Sequence, residues 1–235
     1  MRRYFIWVLL VVLIYSGCSK KEQNQSQSTP SASTPVAATQ ARVGPQQPQS
    51  SVPPKEIKAE GNTFQPFFIY SEKNARTNHY VPSGFMPDGK CIKFNDAWMD
   101  NCHADKTCIK IEYDVQCSKE NLQWAGVYWL NPANNWGARK GGFDLTGATK
   151  LTFWAKGEKG GERLEEFKIG GLTGEYPDSD SALIGPVILT AEWKKYTIDL
   201  RGKDLSYISG GFAWSTNVDV NPTSCTFYLD DIQFE

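Results

Sequence analysis

Two pairs of adjacent carboxylates, Glu165-Glu166 and Asp230-Asp231, two histidines, His79 and His103, and seven tryptophans from Trp98 onward are the groups in this sequence with chemistry to offer. Hydrolysis of a glycosidic bond needs two carboxylates facing one another, about 5–5.5 Å apart for retention or about 6.5–9.5 Å for inversion. Neighbours along an extended chain project to opposite faces, so Glu165 and Glu166 cannot share a cleft. Neither a Gly-x-Ser-x-Gly elbow nor a His-Glu-x-x-His pair occurs. A glycoside hydrolase with an unfamiliar site therefore has no residue set behind it. Asp230 and Asp231 stand in an otherwise apolar run from 227 to 232, where two desolvated charges would repel at a cost of several kcal/mol. A Ca²⁺ ion, held by six to eight oxygens, resolves that conflict; an edge strand with both acids in water avoids it.

The tryptophans suit a different task. A pyranose ring packs its axial C–H bonds on a flat aromatic face while polar groups take its hydroxyls. Period-two spacing places Trp154 opposite Leu151 and Phe153, away from the core those two define. Trp124 and Tyr128 share one face of their segment, and Val127 and Trp129 the other. Asn134-Asn135-Trp136-Gly137 is a polar loop tipped by a large ring. Glu166 and Lys168 supply polar groups at outward strand positions, and the adjoining loop 174–180 adds Tyr176 and Asp178. The expectation is that at least two rings stay in water on one sheet; the plainer reading consumes each of them in packing.

The elements that position these residues are strands. Apolar residues alternate over 107–113, 150–156, 166–170 and 193–200, and further candidates lie at 66–70, 123–130, 183–189, 210–215 and 225–234. Lys140-Gly141-Gly142, residues 157–161 and Gly170-Gly171 punctuate them as turns. Only 162–166 has some helical character, and it is too short to matter. About nine strands without a strong helix predict an antiparallel two-sheet β-sandwich of the jelly-roll class over residues 61–235. A protein-binding adhesin or assembly factor would use exposed rings on such a sandwich equally well.

The remaining residues give an address. Met1-Arg2-Arg3 precedes an apolar run over 4–15, shorter than the roughly 20 residues a membrane span needs. Ser16-Gly17-Cys18 then resembles the lipobox of bacterial lipoproteins, which implies a signal peptide over 1–17 and a Cys18 carrying diacylglycerol and an N-acyl chain such as palmitate. Ser19, in place of Asp, points to the outer membrane. Residues 18–60 are rich in Ser, Gln and Pro, and no aromatic residue occurs between Tyr15 and Phe64. Such a segment reads as a disordered tether with a reach on the order of 35 Å. A formal charge of −1 argues against nucleic acid, which calls for a basic stripe. Five cysteines follow the anchor, and export favours pairing. Cys91 and Cys102 flank a polar loop and form the expected bridge, while a zinc site at Cys102-His103 and Cys108 lacks the second short-spaced pair.

Residues 107–114 and 124–127, Phe143-Asp144-Leu145-Thr146-Gly147, Leu151-Thr152-Phe153-Trp154-Ala155-Lys156-Gly157, residues 193–200 and Phe227-Tyr228-Leu229-Asp230-Asp231-Ile232 come in an order that resembles the non-catalytic carbohydrate-binding modules of galactose-binding-like, jelly-roll fold that accompany bacterial β-glucanases. The resemblance runs from Cys108 to Glu235; residues 74–105 have no counterpart in it. It implies a poly- or oligosaccharide ligand. It also implies a structural calcium held by Asp230 or Asp231 in the last strand and by an acid near the first, for which Glu72 is the candidate.

Overall fold

The computed structural model describes residues 64–87, 89–117 and 123–235; Cys18 and the signal and tether segments lie outside the described residues. Among the described residues thirteen strands occur: β1 (Phe67–Tyr70), β2 (Val81–Met86), β3 (Ile92–Trp98), β4 (Cys108–Tyr113), β5 (Trp124–Leu130), β6 (Lys150–Gly157), β7 (Arg163–Leu164), β8 (Glu166–Gly170), β9 (Ser181–Ile184), β10 (Val187–Ile188), β11 (Lys194–Asp199), β12 (Gly210–Asn217) and β13 (Cys225–Phe234). Among the described residues there is no α-helix, only a 3₁₀ turn at Val115–Cys117, and no helix long and apolar enough to cross a membrane.

The strands form the expected antiparallel two-sheet sandwich. Sheet I runs β11-β6-β13-β4-β3 with β1 added against β13, sheet II runs β2-β5-β12-β8-β9, and β10 and β7 make a short ribbon. Alternation explains the layering. Ile109 and Ile111 of β4, Leu151 and Phe153 of β6 and Phe227 and Leu229 of β13 face Val127 and Trp129 of β5, Phe167 of β8 and Phe212 and Trp214 of β12 in one fully buried core. Each large ring there removes about 150–250 Å² from water, roughly 4–6 kcal/mol of gross burial. Two of the seven tryptophans, Trp129 and Trp214, are therefore consumed inside.

Two edge strands, β2 and β3, fall in the segment without a sequence signature. β2 contains Pro82 and Gly84, which weaken the strand pattern and which an edge position tolerates. The 162–166 stretch is not helical but holds β7, and the 183–189 candidate divides into β9 and β10 around Gly185-Pro186.

The expected Cys91–Cys102 bridge is replaced by two others, Cys91–Cys117 and Cys102–Cys108. The reason is β3: its seven residues separate Cys91 from Cys102 by about 23 Å of extended chain, beyond any disulfide's reach. Closing the 26-residue interval 91–117 removes about 3.5 kcal/mol of unfolded-chain entropy on the loop model. Cys225 is left unpaired and half-buried, its thiol pushed up to about 12 by burial and by the charge of Glu162. It is protonated at neutral pH and a poor partner for exchange.

The last strand contains a bulge. β13 pairs β6 as Asp230↔Trp154 and next as Gln233↔Thr152, with Asp231 in the left-handed region at φ 45°. Up to Leu229 the odd-numbered residues point inward; after the bulge Ile232 and Phe234 do. Both acids thus sit on the outer side of one strand.

Candidate functional site

The outer face of sheet II carries the arrangement the sequence reading sought. On β5, Trp124, Gly126 and Tyr128 alternate with the core residues Ala125, Val127 and Trp129. Across the ladder, Gly126 pairs with Ser215 and with Met86, and Tyr128 pairs with Ala213 and Gly84. On the next strand Ser215 pairs with Glu166, and Ala213 with Lys168. The centre of this face is therefore floored by Gly126, Ala213 and Ser215, with longer side chains around it. Trp124 and Tyr128, four residues apart, stand about 13 Å from one another along the strand. A Cβ at Gly126 would strike the Trp214 carbonyl and the Met86 methyl, so the floor cannot rise.

Trp136 reaches the same face from the 131–142 loop. Its ring meets Tyr128 edge-on, centroids 5.8 Å apart, and lies over Gly84. The loop is held from within. The buried Asn135 side chain accepts from Arg139 N–H (3.2 Å) and donates to Arg139 O (2.8 Å), and Asn134 N–H donates to Ser83 Oγ. Gly137, at φ 86°, lies against Thr173 O where no side chain fits, and its own carbonyl accepts from Tyr176 N–H at 2.9 Å. Trp136 is 42% and Trp124 37% exposed, yet the first is fixed by a closed hydrogen-bond set. A ring ordered in advance costs a ligand little entropy to engage.

Polar groups line one side. Lys168 Nζ lies 3.9 Å from Glu166 Oε1 and 5.5 Å from the Tyr128 ring centre. Burial works to lower its pKa, but a hydrogen bond to Tyr128 and the charges of Glu166 and Asp178 outweigh it and hold the ammonium firmly charged. The pair offers a donor and an acceptor beside the aromatic rings, which is what a hydroxyl-rich ligand requires.

Three residues take other places. Asp178 lies beneath the site as an anchor: its Oδ1 accepts from Ser209 N–H (2.5 Å) and Gly210 N–H (3.3 Å), and its Oδ2 from Leu172 N–H (3.0 Å). Both oxygens accept from backbone, so Asp178 ties the loop to β12. Tyr176 is half-buried in the loop that braces Trp136. Trp154 belongs to the opposite sheet, where His103 stacks on it at 3.7 Å. It does not join Trp124 and Trp136. Sequence reasoning missed Met86 and the small-residue floor; the alternation of Trp124, Gly126 and Tyr128 was the signal for the latter.

The acids read as calcium ligands do not converge. Asp230 Oδ2 accepts from His103 N–H (3.1 Å) and Ala104 N–H (3.2 Å), and its Oδ1 from Asp231 N–H (3.0 Å). Asp231 Oδ2 lies 3.2 Å from His103 Nδ1, while Glu72 accepts from Lys106 N–H and the Thr107 hydroxyl. Among the described residues no three His, Cys, Asp or Glu side chains group as a metal centre. The bulge and the 3.1–3.2 Å backbone donors answer the charge conflict, and the residues do not fit a calcium ion.

Burial, with the Asp231 charge adding to it, pushes the Asp230 carboxyl up to about 7 against these donors. A folded-state pKa raised above 3.8 means the folded form binds the proton more tightly. The stability so gained is complete below pH 4 and is lost as pH rises through 7. Asp230→Asn is therefore expected to shrink the stability difference between pH 5 and pH 8, by at most about 2.5 kcal/mol. Urea melts at the two pH values measure it, and a pH 5–8 difference unchanged in the variant contradicts the assignment.

No family model matches the sequence, and no curated protein matches it. Among solved structures, the family 30 carbohydrate-binding module of a cellulosomal cellulase of Clostridium thermocellum is similar at 14% identity and TM-score 0.45, covering 73% of this chain and 97% of that one. A family 11 carbohydrate-binding module from the same organism, in complex with a β-1,3-1,4-mixed-linked tetrasaccharide, is similar at 14% identity and TM-score 0.40, covering 61% and 80%. A family 29 module follows at 11% identity and TM-score 0.40, covering 73% and 91%.

Proposed function

We propose that this chain binds poly- or oligosaccharide without chemical conversion, through the outer face of sheet II, and that a lipid on Cys18 and the 18–60 tether hold it on the bacterial cell envelope, at the outer membrane. The observation that carries the binding reading is the pair Trp124 and Trp136. Both rings are left in water on one sheet face, above a floor of Gly126, Ala213 and Ser215 and beside the Lys168–Glu166 pair. Stacking rings separated by a small-residue floor and flanked by a donor and an acceptor suit a chain of sugar units lying on the sheet. The tether reading rests on the sequence of residues 1–60 alone, and the anchor would keep a captured polysaccharide near the membrane.

Affinity electrophoresis in gels containing a panel of soluble β-glucans tests the binding reading. The expected result is retarded, saturable migration on at least one glucan, relieved by free oligosaccharide. Unretarded migration across the panel overturns it, and retention by a protein partner alone would favour the adhesin reading.

A further inference from the structure

The outer face of sheet I carries a second row of rings that the proposed site does not use. Tyr228 of β13 pairs with Lys110 of β4 on one side and Lys156 of β6 on the other. Trp98 ends β3 beyond Lys110, and Trp193 stands just before β11, whose Lys194 pairs with Ala155. The result is one line across the sheet, Trp98, Lys110, Tyr228, Lys156, Trp193. The Trp98 and Tyr228 ring centres are 6.4 Å apart, and those of Tyr228 and Trp193 also 6.4 Å.

The lysines differ. Lys110 Nζ sits 4.3 Å from the Trp98 ring centre and also pairs with Glu112 at 3.3 Å. Lys156 is only 7% exposed, its ammonium 4.7 Å from the Tyr228 ring centre and 5.5 Å from that of Trp193. It has no carboxylate or hydrogen-bond acceptor among the described residues. Two aromatic faces steady the cation, its ammonium keeps contact with solvent, and its three N–H donors are left for the oxygens of a ligand. Acceptors are close by: Glu158 Oε2 receives the Tyr228 hydroxyl at 2.5 Å, and the charges of Glu158, Asp100 and Glu112 all act on that hydroxyl. A hollow of about 360 Å³ lined by Ala97, Trp98, Met99 and Asp100 opens at one end of the row, where Met99 is 74% exposed.

We propose that this face is a second saccharide-binding surface, on which Trp98 and Trp193 stack sugar rings and the Lys156 ammonium donates to a sugar oxygen. The inference rests on the reading of the domain as a saccharide binder. The ligand is a neutral sugar: Glu112, Glu158 and Asp100 around the row repel a polyanion, and a purely apolar partner would leave Lys156 unsatisfied. Two faces on opposite sheets allow one domain to hold two glycan chains.

Calorimetric titration of the full chain with a soluble β-glucan hexasaccharide reads the number of sites. The wild type is expected to bind in two steps. Trp124→Ala/Trp136→Ala leaves only the weaker step. Lys156→Met keeps the packing and weakens that step about 10-fold, the loss of one good hydrogen bond. Titration of the wild type followed at the tryptophan indole N–H resonances gives the same answer without any variant, since Trp98 and Trp193 must shift. A single step lost with Trp124→Ala/Trp136→Ala, with Lys156→Met unchanged and the Trp98 and Trp193 resonances still, overturns the second surface and leaves the proposed function intact. A single step lost only with Lys156→Met supports the sheet I surface and overturns the sheet II site. No binding to any glucan overturns both.

Discussion

Trp124→Ala/Trp136→Ala is expected to weaken binding to β-glucan about 100-fold while leaving the fold intact. Both rings are partly in water and outside the core, so truncation is expected to cost about 2–4 kcal/mol of stability without unfolding the sandwich. Aromatic anchors contributing about 1.4 kcal/mol each to recognition reach the roughly 100-fold loss together. Trp136 should show the larger single effect, because its loop is closed by Asn135, Gly137 and Tyr176 and delivers the ring without an ordering cost. Affinity electrophoresis with circular dichroism as a fold control decides it. Binding within three-fold of wild type in the well-folded double variant would remove sheet II as the main site.

The second large effect is on stability. Asp178 gathers Leu172, Ser209 and Gly210 N–H on one carboxylate, tying the 171–180 loop to the start of β12. Asp178→Ala strands three part-buried donors, each worth about 1–3 kcal/mol when unmet, so a loss of about 3–5 kcal/mol is expected. Asp178→Asn keeps one acceptor and should fall between. Chemical denaturation of the three proteins checks the order. An alanine variant as stable as wild type would mean these bonds are replaced by water at no cost. Because Asp178 holds the loop whose Tyr176 N–H braces Gly137 beside Trp136, glucan binding should weaken in the same variants.

Local period was readable from the sequence, and partners distant along the chain were not. The alternation in β5 put Trp124 and Tyr128 on one side and Val127 and Trp129 on the other, and the fold keeps that division. The same rule placed Trp154 away from its core correctly, but could not tell which sheet's outer side it occupied, nor that His103 would cover it. β2 escaped notice because Pro82 and Gly84 are permitted only by its edge position, a property of the assembled sheet. The disulfide partners depended on a strand lying between Cys91 and Cys102. That Asp178 gathers three backbone donors was not readable, because a loop carboxylate does not announce which N–H groups will surround it.

The left-handed residue at Asp231 has a further bearing on how this chain tolerates change. Before it, the last strand is shared by β4 and β6; after it, by β1 and β6. One extra residue resets which side chains look inward, letting a single strand serve neighbours on two different phases. Pairing the strand straight through with that residue retained would act in three dimensions as a frameshift does in a reading frame: Asp231 and Gln233 would be turned toward the interior, and Ile232 and Phe234 out into solvent. The position therefore tolerates loss of its one extra residue, which restores simple alternation with Ile232 and Phe234 still inside, and homologous chains should either carry the bulge or lack it whole.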